Sequence, residues 1–169
     1  MRSNICFTIA LLTAFAAPTF AQNDVPATLL AHLKTSRAFT LKVAEQMPEA
    51  TYDFKLTPPQ MSFAGQMVHL AQSFDEYLSA FSGQKASPKK PASMNKKDVV
   101  AFVGTSFDGA IAIVSKLTAA DLAKTYTSED GKMSGLELVM AMFDHTTHHR
   151  ASAEMYLRAK GITPAEYQF

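Results

Sequence analysis

The stretch SGLELVMAMFDHTTHHRASAEMYLRAKG, Ser134 to Gly161, reads as one long helix with both ends marked. Ser134-Gly135-Leu136-Glu137 fits a capping box: the Ser side chain accepts from the N3 amide and the Glu carboxylate reaches back to the N-cap amide. Gly161 supplies a C′ residue that can turn left-handed, and Pro164 prevents continuation. Val139, Met142, Ala153 and Leu157 mark the centre of its apolar face. A helix this long with one apolar face needs partners of similar length to bury it.

Three such partners precede it. The first is predicted over about Pro26 to Gln46, with Leu29, Leu30, Leu33, Phe39, Leu41 and Val43 on its apolar side. Pro26 suits the first turn, and Met47-Pro48 ends the helix. The second is predicted over about Ser62 to Phe81. Phe63, Met67, Leu70, Phe74, Tyr77 and Phe81 step by four, three, four, three and four, an apolar stripe whose explanation is core packing. Ser82-Gly83 stops it. The third runs over about Asn95 to Leu117, with Val99, Val100, Phe102, Val103, Phe107, Ala110, Ile111 and Val114 expected on its buried side. Between the first two helices, Tyr52 to Pro59 is extended, because proline excludes helix at itself and disfavours it one residue earlier. The Lys/Pro/Ser-rich run Gln84 to Ala92 reads as a solvated linker. Thr118 to Lys132 is a long connection with a short helical turn expected at Ala119 to Ala123 and turn chemistry at Glu129-Asp130-Gly131. No segment reads convincingly as a strand. The expectation is an all-α, up-down four-helix bundle.

The 169 residues are 47% hydrophobic and 18% charged, which suits a single domain with one core. A formal charge of +1, with no basic run interleaved with aromatics, argues against nucleic acid as a partner. The first 21 residues stand apart. Arg2, the apolar run Ile5 to Ala17 and the small residues Thr19 and Ala21 form a secretory signal-peptide pattern, cleaved after Ala21. The domain then spans 22–169, and the expected location is exported, periplasmic or secreted, with no membrane association after cleavage. The single cysteine, Cys6, leaves with the signal. The mature chain has no thiol of its own and cannot form a disulfide.

Three of the five histidines fall in the last helix, at positions 145, 148 and 149. At about 100° per residue, His145 and His149 stand one above the other. His149 lies one heptad from both Met142 and Tyr156 and points to the core edge. His145 is about 40° further round, and His148 aligns with Ala141 and Met155, away from the apolar centre. Two imidazoles at i,i+4 can grip one metal ion, but stacked surface histidines need none, and a His145/His148 pairing is also geometrically open. Thr146 occupies the position that glutamate takes in H-E-x-x-H, so a zincin-type protease is unsupported. On the second helix, His69 sits on the flank of the stripe with Gln66, Gln72, Ser73 and Glu76, and periodicity alone is compatible with a groove-edge surface histidine. His32 has no histidine partner at helical spacing.

Three segments together resemble the DinB-like superfamily of metal-binding four-helix proteins, over about Pro26 to Pro164. They are Tyr52-Asp-Phe-Lys-Leu-Thr-Pro58, Phe63-Ala-Gly-Gln-Met-Val-His69-Leu-Ala71, and His145-Thr-Thr-His148-His149-Arg150 with Tyr156-Leu-Arg-Ala-Lys-Gly-Ile162. The resemblance implies a divalent metal held by His69, His145 and His149, and imidazole ligands suit zinc first, with nickel or iron next. It also implies metal-dependent transfer of a low-molecular-weight thiol to a small-molecule substrate. A three-histidine metal with open positions equally suits water activation in a hydrolase, and a non-catalytic metal- or ligand-binding bundle is the third reading. A homodimer is compatible with such a bundle. Two departures stand out. Ala151-Ser152 replaces the Gly-Gln that family members often carry after His-Arg, and characterised members act on cytoplasmic thiols whereas this chain reads as exported. Glu76 faces the same groove as His69 one heptad on, Tyr156 relates to His149 in the same way but sits beside Leu157 in the apolar face, and Arg150 is a candidate to bind an anionic substrate group or form a structural ion pair.

Overall fold

The computed structural model describes residues 24–128 and 131–168. The signal-peptide pattern at 1–21 and part of the Glu129-Asp130-Gly131 turn lie outside the described residues. Four long helices dominate: α1 (Val25–Gln46), α2 (Phe63–Ser82), α3 (Lys96–Val114) and α5 (Gly135–Ala159). The short α4 (Ala119–Ala123) precedes a two-stranded hairpin, β1 (Thr125–Ser128) and β2 (Gly131–Ser134). The protein is an all-α bundle with this small β appendage. Among the described residues, no helix is long and apolar enough to cross a membrane.

Each long helix starts at a side-chain cap. Asp24, Ser62, Asn95 and Ser134 accept from the amides of Ala27, Gly65, Asp98 and Glu137 respectively. These bonds satisfy amides that have no partner within the helix. The capping box at Ser134 and Glu137 forms as the sequence implies, and a second one links Thr118 and Asp121 at the start of α4. Gly83 and Gly161 take positive φ, 67° and 72°, where the two helices terminate.

α1 packs chiefly against α3 and α5, and α2 packs against the same two helices, so α1 and α2 face each other across the diagonal. The connection from α1 to α2 therefore spans the end of the bundle, and its aromatic residues anchor it there. Tyr52 is buried and donates to the Ala44 carbonyl at 3.0 Å. Its burial, with Glu49 and Glu45 nearby, pushes the phenol pKa upward. The carbonyls of Phe54 and Tyr52 accept from the Phe63 and Ala64 amides, both at 2.9 Å. The segment is not extended as the prolines suggested: it turns at Glu49–Thr51, and the Phe54 and Gln60 amides donate to the Thr51 and Thr57 carbonyls, so successive turns bring it over the start of α2 and fix where that helix begins.

The core runs the length of the bundle through Leu33, Phe39, Val43, Phe63, Met67, Leu70, Phe107, Val139, Met142 and Leu157. The stripe on α2 is buried at Phe63, Met67, Leu70 and Phe74, while Tyr77 and Phe81 are half-buried toward its end. Full burial of one such side chain contributes about 1.5–3 kcal/mol.

The hairpin corrects the expectation of an unstructured connection. Its register pairs Thr125 with Ser134, Tyr126 with Met133, Thr127 with Lys132 and Ser128 with Gly131. Four residues per strand are too few for alternation to show in the sequence. Tertiary packing supports the hairpin, since the Tyr126 ring lies 4.8 Å from that of Phe81 at the end of α2. The C-terminal tail is tied down by one side chain: the Gln46 amide donates to the Thr163 carbonyl at 3.0 Å and accepts from the Ala165 amide at 2.7 Å.

Candidate metal centre

The α2–α5 seam is the most extensive helix pairing in the bundle. One turn of α2 and two successive turns of α5 bring His69, His145 and His149 together there. One ligating atom from each lies within 4.8 Å of the others. The His69 ring packs edge to face on those of His145 and His149, with centroids 4.9 and 4.6 Å apart, and the His145 and His149 rings are tilted against each other at 4.4 Å. His145 Nε2 and His69 Nε2 approach to 3.2 Å. Two nitrogens each about 2.05 Å from one tetrahedral ion lie about 3.3 Å apart, so this spacing fits a shared zinc-sized ion.

The protonation state also suits ligation. Burial is the main force that lowers the pKa of both α5 histidines. The neighbouring imidazoles add to it: His69 and His148 around His145, and His145, His69 and His148 around His149. His149 is pushed down to about 4. Both rings are neutral near pH 7 and keep a lone pair for a cation. His149 Nδ1 meets Gln66 Oε1 at 2.6 Å, which leaves Nε2 as its free nitrogen. His145 Nδ1 is buried without a partner. Among the described residues, no carboxylate or thiol joins the cluster.

The other residues weighed from sequence fall as follows. His148 is exposed on the outer side of α5, its ring edge against His149 at 4.8 Å. His32 is exposed and packs on Phe143 at 4.7 Å, apart from the cluster. Glu76 is exposed. Tyr156 is buried and donates to the Met61 carbonyl at 2.6 Å, which makes it a tie to the start of α2. Arg150 turns away from the histidines. Its guanidinium lies 4.6 Å over the Phe39 ring and donates to Ser36 Oγ at 3.0 Å, both on α1. Gln66 is the residue whose importance the sequence did not announce. The available signal was a polar side chain one turn before His69 on the inward edge of the stripe.

The DinB family profile matches residues 19–169. The chain belongs to the DinB family. Two solved structures share the fold. A DinB-like protein from Bacillus subtilis is 22% identical, with a TM-score of 0.71 over 83% of this chain and 96% of that one. A DinB-like protein from Bacillus cereus is 18% identical, with a TM-score of 0.71 over 84% of this chain and 97% of that one. No curated protein matches. The bundle and the three-histidine cluster are therefore those of a DinB family protein in which the cluster is compatible with a metal ion.

Proposed function

We propose that His69, His145 and His149 hold one divalent metal, zinc in the first instance, and that the protein uses it to activate a small-molecule thiol for transfer to an electrophile. The observation that carries this reading is the convergence of three imidazoles from two helices with, among the described residues, no fourth protein ligand in the cluster. Three protein ligands characterise open sites, whereas structural zinc sites close with four. A bound cation of this kind supplies Lewis acidity, lowering the pKa of a thiol or water that reaches it.

The residues present favour a thiol over water. Among the described residues, no carboxylate stands in the cluster to take a proton from water, and Glu76 faces solvent. A thiol needs less help, because its ordinary pKa near 8.5 is far below that of water. The mature chain carries no cysteine, so the thiol is a cosubstrate. The N-terminal pattern points to action outside the cytoplasm, which makes an extracytoplasmic thiol the expected donor.

The test begins with purified mature protein loaded with zinc. Conjugation of a small thiol to a model electrophile should require metal and fail in His149→Ala. Ester hydrolysis that proceeds without thiol would reassign the site to water activation. Metal-loaded protein inert in both screens would make it a binding module.

A further inference from the structure

We propose that Gln66 is a positioning residue that holds His149 in the one tautomer able to bind metal, an inference that rests on the metal reading above. A neutral imidazole carries one N–H and one lone pair, and which nitrogen has which is set by the partner of the other. His149 is 6% exposed and Gln66 is 7% exposed, so water does not compete freely for either. The 2.6 Å contact between Nδ1 and Oε1 places an acceptor behind the ring. An acceptor there keeps the proton on Nδ1 and the lone pair on Nε2.

The placement has a structural logic. Gln66 and His69 sit three residues apart on α2 and therefore on one face of it. One turn of α2 thus offers a ligand and also orients a ligand on α5. His145 lacks such support, its Nδ1 being buried without a partner. Of the two α5 histidines, His149 is the one with a hydrogen-bond partner behind its ring, and that partner is Gln66. An amide oxygen does this without adding negative charge, unlike the carboxylates that often stand behind metal-bound histidines.

The test uses Gln66→Leu, Gln66→Met and Gln66→Glu in the full mature chain. Long-range ¹H–¹⁵N NMR on the metal-free protein reports the tautomer directly. Wild type and Gln66→Glu should hold His149 as the Nδ1–H form, and the two apolar variants should shift toward Nε2–H. Zinc affinity, read by competition with a chromophoric chelator, should fall about 10- to 100-fold in Gln66→Leu and Gln66→Met. Gln66→Glu should recover it, which a residue that merely filled space would not do. Wild-type affinity and an unchanged tautomer in either folded apolar variant would overturn the inference. If wild type binds no zinc, the metal reading fails separately, and the NMR result still decides what Gln66 does to His149.

Discussion

Single side chains divide sharply in what they should do to metal content. His69→Ala, His145→Ala and His149→Ala each remove one of three converging nitrogens, so elemental analysis of the folded variants should show loss of the ion. His148→Ala should retain it, because that ring faces outward. Full occupancy in His69→Ala would leave a two-histidine site and remove α2 from the centre. This division was partly legible beforehand. The wheel of α5 placed His145 and His149 inward and His148 outward, because ring directions about 40° to 100° apart on one straight helix are a local property. His69 was not legible from periodicity. A residue at the edge of a stripe faces either groove or solvent according to a helix rotation of a few tens of degrees, and neighbouring helices set that rotation.

Helix ends and close approaches supply the predictions at the next scale. Ser134 accepts from the Glu137 amide while the Glu137 carboxylate accepts from the Ser134 amide at 2.7 Å. Ser134→Ala should cost about 1 kcal/mol in chemical denaturation. The bonds from the Ser134 amide and hydroxyl hold the Glu137 pKa below its ordinary value. A folded pKa below the unfolded one contributes stability above the ordinary carboxylate range and loses it as pH falls through the folded value. Melting temperature followed from pH 7 to pH 3 should therefore fall less steeply in Glu137→Gln than in wild type, by a small margin because the carboxylate is exposed. Gly135 follows the cap for a separate reason. A Cβ there would overlap the Asp121 carbonyl oxygen and lie 3.0 Å from Leu122 Cα and from the Phe81 ring. Gly135→Ala should cost about 1–3 kcal/mol as an overpacking substitution. It should also loosen α4 from the start of α5, visible as faster amide exchange at Leu122. The caps could be read as four-residue patterns, whereas the demand for glycine at 135 comes from a chain segment brought over it in three dimensions.

For the molecule as a whole, metal and fold should be linked. The histidines come from two helices separated by α3, α4 and the hairpin, so the complete ligand set exists only in the folded chain. A ligand that binds only the folded state adds RT ln(1 + [L]/Kd), about 4 kcal/mol at a thousandfold excess over Kd. Chelation of zinc-loaded protein should therefore lower Tm by several degrees, and acidification should release the ion because protonated imidazole cannot ligate. A melting curve indifferent to chelator, in protein shown to contain zinc, would contradict a site spanning α2 and α5. The export proposal has its own check: material recovered outside the cytoplasm should begin near Gln22 on N-terminal sequencing, and Met1 at its start would refute cleavage.

The four long helices, most of their ends, the family resemblance and the facing of the α5 histidines are all written in local stretches of the chain. Periodicity, capping and helix termination act within about one turn and are written in neighbouring residues. The folded molecule was needed to show that α1 and α2 stand diagonally, that Arg150 turns to Ser36 and Phe39, that β1 pairs with β2, and that Gln66 stands behind His149. Each of these depends on the relative rotation and placement of elements far apart in the chain. That choice comes from packing the whole core at once, and no single stretch of residues carries it.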